Sequence, residues 1–499
     1  MLHLPKYKTL SVPRISPRLS AILTFLHQAG DSKVMKSIIA TQNDENAKGV
    51  PTEKTGVVGE DIISKLHDSI LGHILSFLPS MEAVHTSLLS KRWIHVWTSI
   101  IGLQLNDCFH CVGKKKMHKQ NFECFVNRVL LLLANSRIQS FSLCLTSYQY
   151  DSSHVNAWIS SIFERGIKNL HIQYSYEVLF PSHSLFSCSS LVQLVLQMKC
   201  TLCVPFFASL PNLKILNISG IKLVGESSTY SEDLILNLPV LQVLEARGCE
   251  WQTMQNIRIE APLLERFYIA IWRSLSDEAY KSSVNVFAPC LTDFSYEGDL
   301  EQDIVLLNSS SIRSASVVIV VDEDRKDRVK KVGYQAHKLL AQILEVQLLK
   351  LLFYKVLVHA RDIFSQLPAF GRLTYLQLNE VTGEALLNIL HSSPILNTLV
   401  LQNGVSELNK DVLFASVPQC FLCSLKVFEF KEFNVHEAEL LLAKFVMANA
   451  KVLEQMTICT AFWLRYSDID MERVTQQILS FPKSSNLAVI KCISVDKLH

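Results

Sequence analysis

The feature that most constrains this chain is a recurring pattern, apolar-x-x-apolar-x-apolar. It appears at Ile138/Phe141/Leu143, Ile167/Leu170/Ile172, Leu191/Leu194/Leu196 and Leu213/Leu216/Ile218. It continues at Leu241/Leu244, Leu264/Phe267/Ile269 and Leu291/Phe294/Tyr296. It returns at Leu373/Leu376/Leu378, Leu396/Leu399/Leu401, Leu425/Phe428/Phe430 and Leu453/Met456/Ile458, with poorer copies at Ile312, Val346 and Leu487. Successive copies start 21–34 residues apart. Several follow a proline (Pro211, Pro239, Pro262, Pro289, Pro368, Pro394), which fits a turn entering a strand where no ladder partner is needed. One copy cannot bury its own apolar face, so stacked copies must share a core. The expectation is an α/β solenoid with one short parallel strand per repeat.

Composition fits such a core. The chain has 499 residues, 49% hydrophobic and 19% charged, which excludes disorder as a whole. A net charge of +2 points to neither a nucleic-acid nor a membrane surface. The apolar runs at Val129–Leu133 and Leu348–Val358 are too short, or too interrupted by Lys350 and Lys355, to span a bilayer. Thirteen scattered cysteines read as reduced core thiols of an intracellular protein, in the nucleus or the cytoplasm.

Ahead of the repeats, residues 61–97 read as a compact group of helices. Asp68 stands at an N-cap position before Ile70, Leu71, Ile74, Leu75 and Leu78, and Pro79 ends that helix. Ser80 and Ser90 stand where they would cap two further short helices, the last carrying Trp93 and Trp97 one turn apart. So short a unit is normally completed by a neighbour or a partner protein.

This stretch resembles a plant F-box, through Ile74-Leu-Ser-Phe-Leu-Pro79, Ala83-Val84 and Leu89-Ser-Lys-Arg-Trp93 followed by Trp97. The resemblance implies docking on a Skp-family adaptor, and through it on cullin and RING subunits of an SCF-type ubiquitin ligase. Leu66, Ile70, Ile74, Leu78, Leu89 and Trp93 are then its core or adaptor-facing residues. The family usually has Leu-Pro where this chain has Leu66-His67, and losing proline's fixed φ costs about 1 kcal/mol or less in rigidity. The repeat spacing lies in the range of leucine-rich repeats.

From about Ser416 the pattern changes. A strand at Val417–Lys431 precedes a helix at Glu437–Asn449, with Leu440, Leu441, Phe445 and Val446 on one side, and a strand at Ala450–Ile458. This strand–helix–strand cap resembles the FBD domain that ends many plant F-box/leucine-rich-repeat proteins. The expected organisation is an extension at 1–59, F-box at 60–100, solenoid at 101–415 and FBD-like domain at 416–495. The extension is rich in Lys, Arg, Ser and Thr, and reads as a poorly defined segment rather than as a transit peptide. The mixed-charge run 321–331 reads as a loop or helix start between repeats.

Intrinsic chemistry is not expected. Cys108/Cys111, Cys200/Cys203 and Cys420/Cys423 are spaced as Cys-x-x-Cys, but they are far apart and lack a compact zinc template, so neither metal nor cofactor is expected. There is no Gly-rich phosphate loop, His-Glu-x-x-His or Gly-x-Ser-x-Gly, and no catalytic residue is assigned. Strand alternation instead sets Asn169, His171, Gln173, Glu245, Arg247, Arg266, Tyr268, Asp293, Ser295, Glu297, Tyr375, Gln377, Asn379, Thr398 and Gln402 on one exposed concave face. Within it, His171, Arg247, Arg266, Tyr268, Glu297, Tyr375, Gln377 and Asn379 are the candidate target-binding residues, and the mixture suits protein recognition. Two rivals stay open: an interaction scaffold whose F-box no longer recruits a ligase, and a receptor that holds a small ligand in the solenoid. The target itself is not legible.

Overall fold

The structure, a computed structural model, describes residues 66–493 apart from 76–77, 79, 109, 112–114, 117, 135, 226–233, 252–255, 272–282, 301, 321–325, 354–367, 380, 407, 409–415 and 467–470. The expectations for residues 1–59 lie outside the described residues. Two compact units divide the chain, Met1–Leu179 and Phe180–His499.

The first unit opens with α1 (Asp68–Leu75), α2 (Ser80–His85) and α3 (Trp93–Val96). Leu71, Leu75, Ala83, Val96 and Trp97 form its buried side. The N-cap of α1 is His67, not Asp68. The His67 carbonyl accepts from the N–H groups of Ile70 and Leu71 at 3.0 and 3.2 Å, and its Nδ1 accepts from the Ser69 N–H at 3.3 Å. The imidazole thus satisfies a helix-terminal donor, which a proline side chain cannot do. Asp68, the first helical residue, instead pairs with Arg92 at 2.8 Å, and the same guanidinium donates to the Leu66 carbonyl. Nor does the Ser80 hydroxyl serve its own helix: it accepts from the Gln104 N–H at 2.7 Å, in β1 (Gly102–Asn106).

After β1 come α4 (Lys119–Leu132), β2 (Ser140–Leu145), α5 (Ser152–Phe163) and β3 (Asn169–Leu179). The three strands form a parallel ladder in which Leu103, Phe141 and Leu170 stand side by side. Its first rung is Ile100/Leu103/Leu105, a copy of the template that the sequence reading passed over, with all three side chains buried.

The second unit begins with α6 (Ser182–Phe186), β4 (Gln193–Val204), β5 (Phe207–Ser209), β6 (Ile215–Gly225) and β7 (Leu234–Asn237). Next are β8 (Val243–Arg247), β9 (Asn256–Glu260), β10 (Arg266–Ile271), β11 (Ser283–Phe287), β12 (Asp293–Gly298) and β13 (Asp303–Leu307). Then follow β14 (Ser314–Ile319), α7 (Lys326–Leu340), β15 (Leu348–Phe353), β16 (Tyr375–Leu378), α8 (Gly383–His391) and β17 (Thr398–Leu401). The end comprises α9 (Gln419–Cys423), β18 (Val427–Phe433), α10 (Glu437–Asn449), β19 (Gln455–Thr460), α11 (Met471–Leu479) and β20 (Val489–Ile493).

Two parallel ladders organise this unit. The long ladder runs β4-β6-β8-β10-β12-β14-β15-β16-β17-β18-β19-β20, and the back ladder runs β5-β7-β9-β11-β13. The apolar template positions of the long ladder line up across the strands and are nearly all buried. The poorer copies at Ile312, Val346 and Leu487 lead into β14, β15 and β20 of the same ladder.

The expectation of one short strand per repeat fails in two ways. Among the described residues five repeats send a second strand to the back ladder, Val381–Thr382 and Val405–Ser406 form a further parallel pair, and β4 and β6 run to twelve and eleven residues with a register shift between Gln197 and Cys200. The reason is visible in the intervals between templates. Segments such as Asn256-Ile-Arg-Ile-Glu260 alternate with period two, whereas Gly383–His391 carries Leu386, Leu387 and Leu390 at helical spacing.

The free edge of the back ladder at β13 is closed by Gln342, just past α7. Its amide oxygen accepts from the Leu306 N–H at 2.6 Å and its amide nitrogen donates to the Ile304 carbonyl at 3.2 Å, as a further strand's peptide would. Near the C-terminus, the buried side of α10 is Glu439, Leu442, Phe445 and Val446, while Leu440 and Leu441 are half-buried. Phe445 and Val446 thus lie on the buried side as expected, and Leu440 and Leu441 at its margin. Glu439, fully buried, accepts from the N–H groups of Asn434 and His436 at 2.8 and 3.2 Å. Because the Glu439 carboxylate lies against Gly404, whose φ is +64°, a Cβ there would come within 2.6 Å of it.

Candidate functional site

Two groups of residues are candidates, one on each unit. In the first unit, Leu66 and Leu78 are buried, at 4% and 3% exposure. Ile70, Ile74 and Trp93 are half-buried and Leu89 is 43% exposed. The six residues therefore divide: two hold the helices together, and four leave apolar surface reachable from outside. An apolar side chain left in water is stabilised by about 25 cal/mol for each Å² that a partner covers.

On the second unit, alternation sends the side chains between template positions to the open face of the long ladder. Register sets Asn217, Glu245, Tyr268 and Ser295 in one row and Arg247, Ala270 and Glu297 in the next. The rows are cross-linked. Asn217 Nδ2 donates to Glu245 Oε2 at 2.9 Å, and Arg247 Nη2 donates to the same oxygen at 3.4 Å. The Arg247 guanidinium lies over the Tyr268 ring, 4.5 Å from its centroid. The Tyr268 hydroxyl donates to Glu297 Oε2 at 2.5 Å. Burial, reinforced by this bond to Glu297, pushes the Tyr268 phenol up to about 12. A smaller set follows at Tyr375, Gln377 and Gln402, where Gln377 Nε2 donates to Gln402 Oε1 at 3.2 Å.

Arg266, like Arg247, is exposed on this face, and Glu297 is half-buried. Asn379 is not on it. At 3% exposure it is buried, with its backbone N–H donating to the Leu351 carbonyl at 3.1 Å. β16 ends at Leu378, so strand alternation no longer governs the next residue. His171 belongs to the first unit, its Nδ1 3.3 Å from Ser142 Oγ, and burial holds its imidazole below the ordinary value. Asn217 was missed, although its place between Leu216 and Ile218 follows the same rule that found the others.

Among the Cys-x-x-Cys pairs, the side chain of Cys111 lies outside the described residues. Cys200 is buried and Cys203 exposed, and Cys420 is buried and Cys423 exposed. Burial pushes the Cys420 thiol up to about 12. Among the described residues no three His, Cys, Asp or Glu side chains stand together as metal ligands. Nor is any described helix long and apolar enough to cross a membrane.

Comparison with known proteins bears on both ends. The F-box domain family model matches residues 63–103, and the FBD family model matches residues 415–458. An F-box/FBD/LRR-repeat protein of Arabidopsis thaliana is 28% identical over 440 residues, covering 85% of this chain and 93% of the relative. An FBD-associated F-box protein of the same plant is 28% identical, over 87% of this chain and 95% of its own length. An F-box/LRR-repeat protein, also from Arabidopsis, is 31% identical over 54% of this chain and 58% of its own. With both domains in place, around parallel strands built on a leucine-rich template, the chain is similar over most of its length to the F-box/FBD/LRR-repeat proteins of Arabidopsis thaliana.

Proposed function

We propose that this chain is a substrate-recognition subunit of an SCF-type ubiquitin ligase. Its F-box docks on a Skp-family adaptor, and the open face of the long ladder holds a target protein. The observation that carries the reading is the F-box match together with partly exposed Ile70, Ile74, Leu89 and Trp93 on its helices. The mechanism is positional. Tethering raises the effective concentration of target lysines near the ubiquitin-charged enzyme, and no catalytic residue of this chain takes part.

The network around Arg247, Tyr268 and Glu297 supports target binding at that face. Its side chains hold one another in place before any partner arrives, so less freedom is lost on association. The FBD region contributes the last strands of the same ladder.

The test is the dissociation constant of the purified chain for a Skp-family adaptor, with Leu89→Asp as the surface variant and circular dichroism as the folding control. Sub-micromolar binding, weakened at least tenfold in a folded Leu89→Asp protein, supports the reading. A folded wild-type chain that does not bind leaves the rival, an interaction scaffold with an F-box that no longer recruits a ligase.

A further inference from the structure

Within the second unit, the core between the two ladders is not filled. An apolar cavity of about 50 Å³ lies beneath β6, β8 and β10, closed behind by β7 and β9 and at one end by α6. Every side chain lining it is hydrocarbon, including Leu216, Leu236, Ala246, Ile259 and Phe267. Leu216 and Leu236 point inward yet are only half-buried, whereas Leu194, Leu244 and Phe267, at the position of Leu216 in neighbouring strands, are all below 5% exposed.

The cause is one residue. Along the third template position of the long ladder stand Leu196, Ile218, Ala246, Ile269, Tyr296 and Val317, in register. Ala246 is the small member, between two isoleucines. Its missing methyl and methylene groups leave a gap that the flanking strands cannot close, because their spacing is fixed by the ladder's hydrogen bonds at about 4.8 Å.

We infer that this cavity is a binding site for a very small apolar ligand, a hydrocarbon group of one or two carbons or an atom the size of xenon. The size follows from a volume about a third of the roughly 150 Å³ that holds a benzene ring. The all-hydrocarbon lining sets the chemistry, since water needs two or more polar partners and finds none there, while dispersion rewards an apolar guest. The site lies directly behind Glu245 and Arg247, which flank Ala246 on the other side of β8, so a bound ligand presses on the strand that carries the proposed target face.

The experiment uses the full-length chain and is independent of adaptor binding. Thermal unfolding is followed under xenon pressure, with n-pentane as a control too large for the space. The wild type should show a saturable rise in melting temperature with xenon and none with n-pentane. Ala246→Ile should melt higher without ligand and lose the xenon response. No saturable rise in the wild type, or an undiminished response in Ala246→Ile, overturns the inference. If the variant does not fold, xenon-induced methyl shifts in the wild type decide: shifts centred on Ala246, Leu216 and Leu236 support the site, and shifts only elsewhere overturn it.

Discussion

The repeats of the second unit are backed in two ways, by strands between β5 and β13 and by helices from α7 onward. Both halves share the same long ladder and the same template, so the strands alone do not set how tightly the core packs. In the helix-backed half, Leu386, Leu390, Phe421, Phe428 and Phe430 are all fully buried, and Phe430 meets Phe433 edge to face at 5.1 Å. In the sheet-backed half a cavity persists. Two ladders with fixed strand spacing face each other there, and a single small residue leaves space that neither can move to fill. A helix can roll or shift along its axis to follow its neighbours, so it closes such gaps more readily.

Mutations can break this comparison. The largest effect is expected at Phe430→Ala, which should cost about 3–5 kcal/mol by urea unfolding, as for a fully packed aromatic. Leu236→Ala, against the cavity, should cost clearly less, because part of that side chain already lacks neighbours. Equal costs would remove the contrast between the halves. Glu439→Ala should cost about 2 kcal/mol by the same measurement, since the N–H groups of Asn434 and His436 lose their buried acceptor. Gln342→Leu should cost about 1 kcal/mol and raise amide exchange at Leu306, by reopening the edge of β13. A Gln342→Leu protein with unchanged exchange would mean that helix α7 alone protects that edge.

The smallest effect concerns pH. Tyr268 is held at about 12, above the ordinary phenol value, so the neutral form is favoured in the folded state. Its contribution to stability is therefore fully present below pH 10 and is lost as pH rises from 10 toward 12. Ultraviolet difference titration of wild type against Tyr268→Phe should show one phenol ionising late, and Glu297→Gln should bring that step to lower pH. An ordinary titration of Tyr268 in the wild type would separate it from Glu297 in solution.

The F-box region shows where local pattern is a sufficient guide and where it is not. The helices described between residues 68 and 99 followed from apolar spacing, because that signal acts within a turn or two. The cap assignments did not follow. Asp68 is drawn to Arg92 and Ser80 to Gln104, each twenty-four residues away, and His67 takes the capping position at the start of α1. Long-range partners compete for the same short polar side chains, and sequence spacing holds no information about who wins.

By itself the sequence determined which residues point into the core. Period-two alternation around the template placed Glu245, Arg247, Tyr268 and Glu297 on one face, and it failed at Asn379, where the strand stops. Only the tertiary structure decided what lies behind the strands, how Arg247 and Tyr268 stack across neighbouring repeats, and that Ala246 leaves a void. Alternation is a property of one strand and is written in adjacent residues. Backing, stacking and cavities depend on residues twenty or more positions apart, brought together only when the ladder's hydrogen bonds set their register.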